Sequence, residues 1–230
     1  MAEPADAGAS ALRSTLVTAA VVVAVVVLAI VPLLTPLFIH PALDAAGSAS
    51  WLGLDAAAAR QASDRAVGDL LSVSGTFDLA APSGEPFFDA SERAHLRDAR
   101  TLLWVALLAG SACAGLVILA LARARAAERR SLWQAVSRGG AVAAIGAVVL
   151  GLVGIVAFGS LFTLFHEIAF PAGGWSFDPT SQRLVQLYPL AFWQVTATAL
   201  GLLVVVIGML VWGLARAASR GGARPDEAAA

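Results

Sequence analysis

Hydrophobic positions in this chain fall into four long blocks with no charged residue in any of them: Leu16 to Ile39, Thr101 to Leu121, Ala141 to Phe165 and Leu190 to Leu214. A hydrocarbon core about 30 Å thick needs roughly 20 apolar residues in a helix. Helices are the default because every backbone polar group must be satisfied inside lipid. The pattern predicts an all-α polytopic membrane protein with transmembrane helices at 16–39, 101–121, 141–165 and 190–214. Arg13 before the first block and small residues at Ala45–Ala49 would also suit a secretory signal. The block is longer than an h-region of roughly 7 to 15 residues, which favours a retained span.

Between the blocks the pattern changes. Asp55–Leu71 is alanine-rich, with Val67, Leu70 and Leu71 on one side at helical spacing and Arg60, Asp64 and Arg65 polar, as in a helix lying on the bilayer surface. Gly75, Pro82, Gly84 and Pro86 mark turn and extended chain. Asp89 and Glu92 are spaced as an N-cap and its N3 partner, so a helix starts there and runs on into the second span. On that helix Glu92, His95 and Asp98, three apart, share a face. After Phe165-His166-Glu167, Pro171, Gly173 and Gly174 break the third helix, and Asp178-Pro179 reads as the start of a short helix carrying Leu184, Val185, Leu187 and Tyr188 on an apolar side. Trp175 and Trp193 are rings of the type that anchors at the headgroup level.

Charge orients these elements. Segment 122–140 holds Arg123, Arg125, Arg129, Arg130 and Arg138 against Glu128 alone, while 40–100 holds five arginines against nine acids. Basic residues favour the cytoplasm, which predicts a cytoplasmic N-terminal tail at 1–15, a cytoplasmic loop at 122–140 and a disordered cytoplasmic tail at 216–230. Residues 40–100, a helical loop after the first span, and 166–189 then face outward, within a four-span domain covering 16–215. At 59% hydrophobic and 13% charged residues, against about 25% charged in soluble domains, a water-soluble fold is excluded. The net charge of −1 gives no ground for a nucleic-acid partner. Cys113, alone and within an apolar run, reads as a small buried hydrophobe.

Two segments carry a resemblance. FFDASERAHLRDARTLLW, at 87–104, has an acid-capped helix with a histidine and an aspartate three residues later; LFTLFHEIAFPAGGWSFDPTSQRLVQLYPLAFW, at 161–193, has a Phe-His pair, a tryptophan, an Asp-Pro turn and a proline before the last span. Together they resemble the four-helix family of the bacterial lipoprotein intramolecular transacylase. The resemblance implies an enzyme of the bacterial cytoplasmic membrane, acting on diacylated lipoproteins at the outer leaflet without a cofactor. It would move an acyl chain from the diacylglyceryl group of the N-terminal cysteine to that cysteine's amino group, giving a lyso-form lipoprotein. It also implies that His95 and His166 correspond to the family's two functional histidines.

Acyl transfer from ester to amine needs a base for the attacking ammonium and a donor for the oxyanion or leaving oxygen, and histidine can do either. His95 is assigned as base, oriented by Glu92 or Asp98, and His166 as acid or donor, supported by Glu167; the roles are exchangeable. Glu92 and Asp98 are equally a cap and a solvated charge. Arg93, Arg97 and Arg100 are candidates for holding lipid phosphate, against simple snorkelling at a span end. Trp175 and Tyr188 are candidates to meet lipid, against a role as interfacial anchor or helix residue. His166-Glu167 has no second histidine four residues on, so the zinc-protease pattern is missing, and no spacing points to a metal. A haem between two histidines is disfavoured where both lie at the outer edge. From a different class, the competing reading is a non-enzymatic membrane subunit or chaperone that binds a partner through its outer loops.

Overall fold

The computed structural model describes residues 4–81 and 84–221. Pro82, one of the expected turn residues, and the end of the expected tail at 222–230 lie outside the described residues. The helices are α1 (Pro4–Ile30), α2 (Pro36–Ala46), α3 (Ser48–Leu52), α4 (Ala56–Leu71), α5 (Ala90–Arg123), α6 (Ala126–Ala169), α7 (Arg183–Leu187) and α8 (Leu190–Gly221). Four stretches, Ser10–Leu34, Ala90–Arg123, Ala126–Ala169 and Leu190–Arg220, are long and apolar enough to cross a membrane. The protein is therefore a multi-pass, all-α membrane protein with a helical segment after the first span.

The edges of the spans differ from the hydrophobic blocks. α1 ends at Ile30, passes through a 3₁₀ turn at Val31–Leu34 and breaks at Thr35, which is extended at φ −98° and ψ 150°. Pro32 and Pro36 have no N–H to give to a continuing ladder, so the helix cannot run to Ile39 as the block implied. Ile39 is instead a buried residue of α2. Segment 122–140, expected as a loop, is almost wholly helical: Ala124 and Arg125 alone separate α5 from α6. Residues 216–221, expected to begin a disordered tail, continue α8, and α1 already starts at Pro4.

The chain forms two compact units. One comprises residues 1–29, 107–151 and 201–230. In it α6 and α8 touch backbone to backbone: a Cβ on Gly140 would lie 2.5 Å from the Gly208 carbonyl oxygen, and one on Gly208 would lie 2.7 Å from that of Gly140. Close approach through small residues is how helices associate in lipid, where van der Waals packing and not hydrophobicity drives them together. The Ser137 hydroxyl donates to the Trp212 carbonyl at 3.1 Å beside this crossing, and the Thr18 hydroxyl lies 3.2 Å from the Ala135 carbonyl.

The second unit comprises 30–106 and 152–200. It has a core like that of a soluble domain, built from Ile39 and Leu43 of α2, Ala62 and Ala66 of α4, Phe77, Phe87 and Phe88, Leu96 of α5, and Leu184, Leu187, Tyr188 and Phe192. The most deeply buried face of α4 is Ala59, Ala62, Ser63 and Ala66. Val67 and Leu70, expected on the bilayer, pack partly buried against this core. Their small neighbours let α4 seat closely, and the charged side of α4 ties it to α2 through Arg60 with Asp44 and His40 with Asp64.

Candidate active site

The site in the second unit is built on the entry to α5. Asp89 caps the helix, its Oδ1 accepting the Glu92 N–H at 2.8 Å, and Glu92 Oε2 accepts the Asp89 N–H at 2.6 Å, a reciprocal capping box. Glu92 is only 1% exposed, and its other oxygen, Oε1, accepts the N–H of Leu184 at 2.6 Å. That N–H belongs to the first turn of α7, where the helix itself supplies no acceptor. Asp89 Oδ2 accepts from the Gln182 side-chain amide at 2.8 Å, and the same amide reaches Ser91 Oγ at 3.1 Å. Burial pushes the Asp89 carboxyl up, but the Ser91 hydroxyl, the Glu92 N–H and the Gln182 amide outweigh it and hold it at about 2. Asp178, expected to start a helix, opens a turn instead; its carboxylate is held below the usual range by the N–H and hydroxyl of Thr180 and by the Ser181 hydroxyl. α7 begins five residues later, at Arg183.

His95 lies one turn beyond Glu92 on α5, and His166 lies in the last turn of α6. α6 is kinked at Ala157 (φ −135°, ψ 29°), beside Gly159-Ser160, and ends before Pro171. The two imidazoles are nearly parallel, with ring centroids 6.1 Å apart and planes 25° apart. Aromatic rings frame them. Phe170 and Phe177 lie 4.6 and 5.4 Å from His95, while Phe162 and Trp175 lie 4.1 and 5.1 Å from His166. The Nδ1 of His166 is 2.8 Å from the Phe162 carbonyl oxygen. A carbonyl can only accept, so in the neutral ring Nδ1 carries the proton and Nε2 presents a lone pair. His166 is 8% exposed. His95 is half-buried, and its Nδ1 is buried with no hydrogen-bond partner among the described residues.

The expected site residues separate into groups. His95 and His166 come together, with Trp175 half-buried against His166. Glu92 does not serve to orient the His95 ring, because both its oxygens are taken by backbone N–H groups. Asp98 and Glu167 are exposed. Arg93 pairs with Asp78 at 2.9 Å, and with Arg97 it lines a separate cleft. Tyr188, expected to meet lipid, is buried in the core with its hydroxyl 2.9 Å from Ser63 Oγ, and burial weakens the phenol as an acid, pushing its pKa up to about 12. The rings of Phe162, Phe170 and Phe177 were not foreseen. A signal existed for two of them, since Phe162, His166 and Phe170 are spaced four apart and so fall on one helical face.

A helical membrane protein with paired, aromatic-framed histidines at the ends of two spanning helices is the class these observations define. Its family follows from the sequence: residues 14–193 match the lipoprotein intramolecular transacylase Lit. The chain belongs to that family of membrane acyltransferases. Among solved structures it is similar to the membrane integral lipoprotein intramolecular transacylase of Bacillus cereus, at 18% identity and a TM-score of 0.73 over 91% of this chain and 95% of that one. Two structures of the same protein with a histidine substituted, to arginine and to alanine, align at 17% and 18% identity with TM-scores of 0.71 and 0.69. The first covers 92% of each chain, the second 92% of this chain and 94% of the other. No curated protein matches the chain.

Proposed function

We propose that this protein transfers an acyl chain within a diacylated lipoprotein, from the glyceryl ester of the N-terminal cysteine to that cysteine's α-amino group. The observation that carries the reading is the His95–His166 pair, with one ring fixed in a tautomer that leaves Nε2 to accept a proton. Family membership supplies the reaction class.

In this reading His166 is the base, because Nδ1 is committed to the Phe162 carbonyl and Nε2 is the available lone pair. This exchanges the roles that the sequence favoured. The ammonium first releases one proton to solvent, and His166 takes a second from the amine nitrogen as it attacks. The amine nitrogen then bonds to the ester carbonyl carbon, and an N–H of His95 stabilises the oxyanion. The carbon–oxygen ester bond breaks, the glyceryl oxygen takes the proton from His166, and the products are an amide and a free hydroxyl. Atoms and charge balance with no co-reactant. The aromatic frame excludes water, so the ester partitions to the amine and not to hydrolysis. The arginine distribution supports cytoplasmic termini and an extracytoplasmic site.

The test is mass spectrometry of lipoprotein N-termini from cells with and without this gene. Appearance of N-acyl, S-monoacylglyceryl cysteine on expression, and its loss in His95→Ala and His166→Ala, is the expected result. An unchanged acyl pattern overturns the reading.

A further inference from the structure

The first turns of α5 present two different sides. At 3.6 residues per turn, Arg93 and Arg97 each lie roughly 200° round the helix from His95, on the side away from the histidine pair. They line a cleft of about 430 Å³ together with Gly75, Thr76, Asp78 and Ala90. Asp78 is matched by Arg93 at 2.9 Å, which leaves the exposed Arg97 as the positive charge in excess among the lining residues.

The wall facing the arginines is held rigidly. Phe77 adopts φ +60°, a conformation that costs energy for a bulky residue. It is kept there by its N–H bond to Asp69 Oδ2 at 2.6 Å and by a ring only 1% exposed. Arg100 donates to the Gly75 carbonyl and lies 5.6 Å from the Phe77 ring centroid. A side chain at Gly75 would run into the Asp69 carbonyl. Strain retained in a tightly held turn beside a cleft is a recognised mark of ligand clamps.

The depth of the cleft follows from its neighbours. The Trp104 indole donates to the Leu70 carbonyl at 3.2 Å, and a tryptophan at a span end sits at the headgroup level. On the chain leaving Leu70, Leu71 is 41% and Val73 86% exposed, apolar groups placed to enter the bilayer. Arg97 lies seven residues before Trp104 on the same helix, about 10 Å further from the hydrocarbon. A cationic cleft at that height meets phosphates, and a guanidinium is shaped to bind them by two parallel hydrogen bonds.

We infer that the cleft between the 75–78 turn and the start of α5 binds the phosphodiester of a membrane phospholipid headgroup, with Arg97 as its principal cation and Arg93 shared between the lipid and Asp78. The exposed apolar side chains of Leu71 and Val73 beside the cleft favour a lipid over an acidic peptide. The site is independent of the acyl-transfer reading.

Native mass spectrometry of the full-length protein released from detergent tests this, with phosphatidylglycerol, diacylglycerol of the same chains and inorganic phosphate as probes. The wild type should retain phosphatidylglycerol well above diacylglycerol. Arg97→Ala should lower that retention about tenfold, as expected for losing a charge-assisted hydrogen bond. Asp78→Asn, which removes the competing negative charge, should raise it and serves as a second variant of opposite sign. Equal retention by Arg97→Ala and wild type, or no rise in Asp78→Asn, overturns the site. Displacement of the lipid by inorganic phosphate at matched phosphate concentration overturns the lipid assignment in favour of the free anion.

Discussion

Glu92 and Leu184, far apart in sequence, are joined by a 2.6 Å hydrogen bond from the Leu184 N–H to a carboxylate that is almost wholly buried. The same carboxylate closes the cap of α5. One side chain thus fixes the start of the helix that carries His95 against the start of α7. Glu92→Gln keeps one acceptor and turns the other oxygen into a donor that faces an N–H. Losing a buried hydrogen bond to a charged group costs about 2 kcal/mol. Thermal unfolding in detergent should show a lower Tm for Glu92→Gln and a lower one still for Glu92→Ala. A wild-type Tm in Glu92→Ala would refute the clamp.

The proposed roles of the two histidines differ, and so should their variants. Loss of a positioned general base costs about 10²- to 10⁴-fold in rate. His166→Ala should fall in that range, and His166→Asn should not recover activity because its amide supplies no comparable base. His95→Asn or His95→Gln keeps an N–H donor and should retain more activity than His95→Ala. Formation of lyso-form lipoprotein, quantified by mass spectrometry, checks this order. Equal loss in all His95 variants would argue against the donor role.

The spans were legible because four uncharged blocks admit few other readings. Their ends were less so. Hydrophobicity does not separate lipid from protein core, and the first block ran straight from α1 into α2, where Ile39 and Leu43 are buried by protein. Only Pro32 and Pro36 marked the break. The two histidines could be singled out from local motifs, and the capping box from its spacing, but the partner of Glu92 could not. Its bond to Leu184 joins segments 92 residues apart. Tyr188 was ambiguous for a related reason: the apolar side of a short helix can face lipid or protein core, and only the fold places Ser63 beside its hydroxyl.

The contact between α6 and α8 predicts a strong size dependence. A Cβ at Gly140 would lie 2.5 Å from the Gly208 carbonyl oxygen and 2.7 Å from the Trp212 nitrogen, both backbone atoms that cannot turn aside. Gly140→Ala should destabilise by about 1–3 kcal/mol, the usual range for overpacking, and Gly140→Leu by more. Gly146→Ala, where a Cβ meets nothing within 4 Å, is the matched control on the same helix and should leave Tm unchanged. Thermal unfolding of the three variants decides it.

Asp89 gives a pH dependence with a definite sign. Its carboxyl titrates at about 2 in the folded protein against an ordinary value of 3.8, because Ser91, the Glu92 N–H and Gln182 favour the ionised form despite burial. A group whose folded value is depressed stabilises the fold above its unfolded value and loses that contribution as pH falls through the folded one. The Asp89 contribution should therefore be complete above pH 4 to 5 and disappear towards pH 2. Asparagine is also a good N-cap, so Asp89→Asn should keep the helix start while removing the titration. Plotted against pH, the Tm difference between wild type and Asp89→Asn should be constant from pH 7 to 5 and shrink below pH 4 as the wild type loses its advantage. A difference that stays constant down to pH 2 would show that the carboxylate charge has no part in holding α5 to α7.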